Sequence, residues 1–221
     1  MADVNAQLEK IYHRRFDADL EYRNGVWRVL TREFFSRYIR PSDHILDLGC
    51  GYGQFINHIQ CAHRYAMDLN PASKNVLQNE VKLFAQDCSS RWPLESGSLD
   101  LVFTSNFFEH LPTKGHLMLT LQEAHRCLRS GGRLIAMGPN VKHLPGAYWD
   151  FFDHHIPLTE LALQEALEVA GFRCLEVISR FLPFTMVNAP KYPLRLVSLY
   201  LKLPWLWRWF GRQFLLIVQK P

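Results

Sequence analysis

No cysteine pair in this 221-residue sequence stands at metal-ligand or redox spacing. The five cysteines (Cys50, Cys61, Cys88, Cys127, Cys174) are odd in number and scattered, with no C-x-x-C. Neither a disulfide framework nor a zinc site is indicated, and a reducing cytosol fits. Long apolar runs are missing too: nothing approaches the roughly 18 apolar residues needed to cross a bilayer. The first fifteen residues carry Asp3, Glu9, Lys10, Arg14 and Arg15 rather than the apolar centre of a signal peptide. The expectation is a soluble, cytoplasmic protein. Repeats and low-complexity linkers are lacking, and with 48% hydrophobic residues the chain is long enough to bury one full core, so a single domain over 1–221 is expected. Acids vanish from Val177 onward. Seven basic residues there contribute +7 to a chain of net charge +4, so the remainder carries −3.

What is present centres on His44 to Phe55, HILDLGCGYGQF. Ile45, Leu46 and Leu48 form an apolar run broken only by Asp47, and Gly49, Gly51 and Gly53 follow at alternate positions. This reads as a buried parallel strand entering a tight turn and then a helix from Gln54 to about His58. Glycines without a Cβ let the backbone turn sharply and approach a ligand, and the helix start offers free N–H groups. The spacing is G-x-G-x-G. A dinucleotide fingerprint needs G-x-G-x-x-G, so a pyrophosphate is the weaker fit.

About twenty residues on, Arg64 to Leu69 (RYAMDL) reads as a second strand carrying Asp68 at its end. A carboxylate there can accept hydrogen bonds from two vicinal ribose hydroxyls. Pro71 suits the first turn of a helix that Leu77 continues. Val81 to Ala85 is a third strand, with Gln86, Asp87 and Cys88 after it. Leu99, Leu101, Val102 and Phe103 form a fourth, with Asn106 at its mouth and Glu109, His110 just beyond. Leu117, Leu121, Ala124 and Leu128 recur at helical spacing until Ser130-Gly131-Gly132, and Arg133 to Met137 is the fifth strand. Phe172 to Ser179 and Gln213 to Gln219 complete the set.

The glycine turn with its leading acid resembles motif I of the class I S-adenosylmethionine (SAM)-dependent methyltransferases. SGSLDLVFTSNFFEHL and EAHRCLRSGGRLIAMGPN resemble the fourth-strand and helix-to-fifth-strand stretches of their type 11 branch. Ser130 stands where the family usually has proline. The resemblance covers roughly Pro41 to Gly171 plus the last strand. It implies an α/β, doubly wound Rossmann-like sheet of seven strands in the order 3-2-1-4-5-7-6, the last antiparallel. It also implies SAM as cofactor, held by Asp47, Gly49, Cys50, Gly51 and Gly53 at the methionine end, by Asp68 and Leu69 at the ribose, and by Asp87 and Cys88 at the adenine, with Asn106 alongside. The segments expected are a helical cap (1–40), a SAM-binding core (41–179), an insertion (180–212) and the last strand (213–221).

Helical patterns at Val4 to Arg15 and at Trp27, Leu30, Phe34 and Tyr38 precede the first strand. In the resembled family such a pair caps the pocket, which makes Tyr12, Tyr22, Arg23 and Trp27 candidate pocket walls, against the alternative of an aromatic stripe packed on the core. YWDFFDHHIPLT, residues 148–159, leads to a helix capped by Thr159 and ended by Gly171. Loops beyond strand carboxyl ends carry chemistry in such sheets. Tyr148, Trp149 and Asp153 are therefore candidate acceptor contacts, and Glu109, His110, His154 and His155 are candidate bases if the acceptor is a hydroxyl. A metal held by Asp153, His154 and His155 is not expected, because neighbouring histidines of an extended loop point apart.

The insertion mixes Trp205, Trp207, Trp209 and Phe210 with Arg180, Lys191, Arg195, Lys202, Arg208 and Arg212. It must be covered by the chain itself as a lid, by a second subunit in a homodimer, or by an anionic bilayer surface. The function expected is methyl transfer, O-methylation favoured, to a small-molecule or lipid-linked acceptor; nucleic acid is not expected as a partner. Two other readings stand: a catalytically silent SAM-binding subunit, and a nicotinamide-dependent oxidoreductase.

Overall fold

Residue alternation along the strands gives the sheet two buried faces. A computed structural model describes residues 20–70, 72–144, 146–184 and 191–221. Seven strands, β1 (His44–Leu48), β2 (His63–Met67), β3 (Val81–Phe84), β4 (Leu99–Ser105), β5 (Leu128–Pro139), β6 (Arg173–Ile178) and β7 (Gln213–Gln219), pair in the order β3-β2-β1-β4-β5-β7-β6. β7 runs antiparallel to both its neighbours, and the β1 to β5 pairings are parallel. The expected sheet is found, strand for strand.

On one face, Leu46, Leu48, Val102, Leu134 and Val218 pack with Leu117, Leu121 and Ala124 of α3 (Lys114–Cys127) and Leu163 and Leu167 of α4 (Glu160–Val169). A single-turn helix, α2 (Ser73–Val76), lies between β2 and β3. On the opposite face, Ile45, Phe103, Ile135, Met137, Leu215 and Ile217 meet Leu30 of α1 (Leu20–Glu33), Phe34 just after it, and Leu201 and Trp207 of the insertion. Period-two alternation of apolar residues on a doubly covered sheet accounts for the division. Thr113 and Thr159 cap α3 and α4 by accepting from the N–H groups of His116 and Ala162.

The insertion folds into α5 (Leu194–Leu201) and α6 (Pro204–Phe210), and α5 lies on α1. Ser198 Oγ donates to Glu33, and a Cβ on Gly25 would meet Leu194 Cδ1 at 2.9 Å. Trp207 packs edge-on against Phe181 and Phe34 and donates to the Tyr200 carbonyl. The chain thus covers one side of the segment itself, while Trp205, Trp209 and Phe210 stay exposed.

Three local expectations are corrected. The helix expected from Gln54 is a chain of turns closing in one 3-10 turn, Ile56–His58. Ile59 after it is extended, and the backbone bonds here close single turns, Asn57 N to the Gly53 carbonyl and His58 N to the Phe55 carbonyl. The helix after β2 stops at Val76, because Asn57 takes the Val76 carbonyl and the Gln78 N–H and draws the chain outward, leaving Leu77 extended. The helix before the fifth strand ends at Cys127. Leu128 already belongs to β5 and pairs with Leu99, and Gly131 and Gly132 exchange backbone bonds with Lys220 instead of ending a helix. The Val4–Arg15 helix, Tyr12 and Pro71 lie outside the described residues.

Candidate active site

Parallel pairing brings the carboxyl ends of β1, β2, β3 and β4 to one rim, and that of β5 lies beside them. β1 hands directly to the glycine turn. Gly49, Gly51 and Gly53 all adopt left-handed φ (69°, 51° and 67°), and the N–H groups of Gly49 and Cys50 both bond to the Met67 carbonyl. A Cβ on Gly49 would sit 2.2 Å from the Phe107 ring, so glycine is required there by packing as well as by conformation.

Asp68 follows β2. Its Oδ2 accepts from Gly51 N at 2.7 Å and its Oδ1 from Asn70 N at 2.8 Å. Two lone-pair positions remain for the two hydroxyls of a vicinal diol. Burial raises its pKa, against the opposing pull of the Asn70 and Gly51 N–H groups and of His110. Leu69 beside it is exposed. Asp47 is fully enclosed; burial pushes its carboxyl up to about 8, with the Ile56 N–H opposing.

Asp87, exposed after β3, accepts from Ser89 N and Ser89 Oγ at 2.8 Å each. Cys88 is buried, its Sγ 3.3 Å from Thr120 Oγ1 and its carbonyl accepting from Trp92 Nε1. Asn106, the non-glycine residue with left-handed φ (50°) among those described, donates its N–H to the Met137 carbonyl across the β4–β5 seam. Its Oδ1 and Gln54 Nε2 are buried without a hydrogen-bond partner. Both sit beside the glycine turn, one just past β4 and one just past Gly53. Buried orphan polar atoms of this kind call for a ligand or water.

At the mouth of β4 a second constellation forms. The 3-10 turn Phe108–His110 carries Glu109, whose carbonyl accepts from His155 N and Ile156 N and so ties the 148–156 loop to the rim. Glu109 is 2% exposed, and burial pushes its carboxyl up to about 7. His110 Nδ1 stands 3.0 Å from the Asp153 carbonyl and 3.3 Å from Asp153 Oδ2, and its Nε2 is 3.9 Å from Glu109 Oε1. Burial works against protonation of His110, but Asp153 and Glu109 outweigh it and raise its pKa. His154 is buried, its ring 4.9 Å from His110 and 4.7 Å from Tyr148.

The structure therefore joins Glu109, His110, Asp153 and His154 and leaves His155 exposed outside them. Tyr148 is buried, its hydroxyl donated to the Ile156 carbonyl, and serves as a floor for His154; Trp149 is exposed. Of the expected pocket walls, Arg23 reaches Gln54 Oε1 at 3.2 Å, Trp27 packs on Phe55 and Phe103, and Tyr22 accepts from Tyr192 N. Sequence reasoning did not single out Phe107, Asn70 or Gln54 as site residues. Their one signal was adjacency to the turn and to the ribose acid.

Comparison with known proteins agrees with this geometry. A family model described as a methyltransferase domain matches residues 46–136. A malonyl-[acyl-carrier protein] O-methyltransferase from Dechloromonas aromatica is 34% identical over 61% of this chain and 52% of its own length. A demethylmenaquinone methyltransferase from Symbiobacterium thermophilum is 28% identical over 72% of this chain and 68% of its own. The chain thus spans about half the length of the first of these curated relatives. Among solved structures, a SAM-dependent methyltransferase from Thermotoga maritima superposes with a TM-score of 0.67 over 97% of both chains at 15% identity. A methyltransferase bound to the Trm112 activator from Haloferax volcanii gives 0.63 over 92% of both at 18%. These two show the fold.

Proposed function

Because residues 46–136 match a methyltransferase-domain family model, we propose that this chain transfers a methyl group from SAM to a hydroxyl of a small-molecule or lipid-linked acceptor. The observation that carries the reading is the Asp68 carboxylate, held by Gly51 N and Asn70 N with acceptor capacity left over beside orphaned Gln54 and Asn106 groups.

The donor supplies a methyl on a sulfonium, which needs only an aligned nucleophile. Gly49, Cys50, Gly51 and Gly53, with Asp47 beneath, bind the methionine end; Asp68 and Leu69 hold the ribose, Asp87 and Cys88 the adenine, and Asn106 lines the space between. Arg23, Trp27 and Gln54 close the turn from above and exclude water, so that alignment rather than acid chemistry lowers the barrier. Glu109, His110, Asp153 and His154 face the acceptor side. The Asp153 carboxylate on His110 Nδ1 orients that ring with Nε2 toward Glu109, so the cluster is placed to activate an acceptor hydroxyl, which is the role O-methylation requires and a silent subunit does not.

The lipid-linked option is favoured by the insertion. Trp205, Trp209 and Phe210 are exposed on a segment with six basic residues and no acid, and a groove of about 850 Å³ lined by Arg180, Trp205, Arg208 and Trp209 lies at the end of β6. No helix among the described residues is long and apolar enough to cross a membrane. Peripheral contact with anionic headgroups is what such a surface offers.

The test is transfer of isotope-labelled methyl from SAM into a fractionated cell extract, read by mass spectrometry in soluble and lipid fractions. A labelled methyl ether of a hydroxyl-bearing acceptor is expected. Calorimetric binding of NADH with none of SAM would overturn the reading.

A further inference from the structure

We infer that Glu109, His110 and His154 form a binding site for one divalent metal ion of the zinc type, with an open coordination position for an acceptor oxygen. The acceptor clause rests on the function proposed above; the metal site stands on geometry alone.

One ligand atom from each of the three residues lies within 4.8 Å of the others. Glu109 Oε1 and His110 Nε2 are 3.9 Å apart. That is too long for a hydrogen bond but suits two donors sharing one ion, which at about 2.0–2.2 Å from the metal stand roughly 3 to 4 Å apart. The three ligand atoms spread over at most 4.8 Å, so a side-chain movement of about 1 Å closes the set on one ion.

Three further observations point to a cation. Glu109 is 2% exposed and its Oε1 has no hydrogen-bond partner, an arrangement costly for a carboxylate and relieved by a metal. Asp153 and its own carbonyl occupy His110 Nδ1, which fixes the tautomer whose Nε2 lone pair faces Glu109; a carboxylate behind a ligating histidine is the usual outer support of metal sites. The Glu109 carbonyl is held by two N–H groups of the 148–156 loop, so the element bearing His154 is tied in place beside Glu109.

Two imidazoles and one carboxylate form a three-ligand set that leaves a position for an exogenous oxygen, and an ion there makes a bound hydroxyl more acidic. The site therefore selects acceptors that offer a hydroxyl or phenol oxygen.

Titration of the full chain with Co²⁺, followed by visible ligand-field absorption, tests the site. Saturable binding of one Co²⁺ per chain is expected. Glu109→Gln and His154→Ala should each weaken it by at least about tenfold, Asp153→Asn should weaken it less, and His63→Ala, exposed at the start of β2, should bind as the parent does. Absence of saturable absorption, or equal affinity in Glu109→Gln and His154→Ala, overturns the inference. Should those variants fail to fold, the paramagnetically shifted imidazole resonances of the Co²⁺-loaded parent decide: two histidines are required, and fewer sink the site. SAM calorimetry on the same sample separates the two claims. SAM binding without Co²⁺ binding removes the metal site alone, and Co²⁺ binding without SAM binding removes the proposed function alone.

Discussion

Asp68 Oδ2 accepts a 2.7 Å hydrogen bond from the N–H of Gly51, so the acid that follows the second strand and the glycine turn that follows the first are one unit. The turn's left-handed backbone aims that N–H, and the carboxylate in turn stiffens the turn before any ligand arrives. A ligand that bridges both meets a preformed site.

Gly49→Ala should destabilise the protein by about 2 to 4 kcal/mol, combining a left-handed backbone for alanine with a Cβ driven into the Phe107 ring. Urea unfolding checks it. Gly49→Ala with Phe107→Ala added should be less destabilised by the alanine at 49 than the parent is, and additive losses would contradict the packing account.

Asp47 gives a pH signature. Its pKa in the folded chain is raised to about 8 from the ordinary carboxylate value. A raised folded pKa means that the folded state holds the proton more tightly, so this contribution is fully present below about pH 4 and is lost as pH rises through about 8. The stability difference between parent and Asp47→Asn should therefore shift against the parent by up to about 1.4 kcal/mol per pH unit across that window. A difference independent of pH would contradict it.

His154 and His155, equal candidates in the sequence, are separated by the fold. His154→Ala should lower methyl transfer roughly a hundredfold with SAM affinity unchanged. His155→Ala, on an exposed side chain, should change it only about threefold. A reversed order in labelled-methyl assays would return the acceptor side to the outer face of the loop.

The membrane test must spare Trp207. That residue is 9% exposed and packed on Phe34 and Phe181, so Trp207→Ala would cost about 3 to 5 kcal/mol through the core and mimic any loss of binding. Trp205→Ala with Trp209→Ala, at sites 60% and 73% exposed, is the clean variant. Co-sedimentation of the parent with anionic vesicles at low salt, falling at high salt and in the double variant, is expected. A parent that stays in the supernatant at low salt excludes the bilayer.

The strands and the positions of Asp47, Asp68, Asp87 and Asn106 at their ends were legible because apolar runs and strand-end acids are local patterns, whereas the strand order followed from the resemblance to the methyltransferases. The breaks after Gly53, Val76 and Cys127 were not, since they are set by contacts far along the chain: Asn57 holding Val76, Leu128 pairing with Leu99, and Gly131 with Lys220. The same limit hid the Glu109, His110 and His154 grouping. Glu109 and His110 precede His154 by the whole of α3 and β5, and the bonds from His155 N and Ile156 N to the Glu109 carbonyl, with His110 Nδ1 at the Asp153 carbonyl, bring the two segments together. Trp207 was grouped with Trp205 and Trp209 for a related reason: composition marks a tryptophan-rich segment, but only packing on Phe34 tells its buried member from its exposed ones.

The most direct measurement is calorimetric titration of the full chain with SAM, repeated with Asp68→Ala and Gly51→Val after circular dichroism has shown both variants to be folded. Binding of one SAM per chain is expected, weakened by at least about thirtyfold in each variant, which corresponds to about 2 kcal/mol for a lost charged hydrogen-bond acceptor or an obstructed backbone. No binding to the parent, or equal affinity in both folded variants, would contradict the assignment of this rim to SAM.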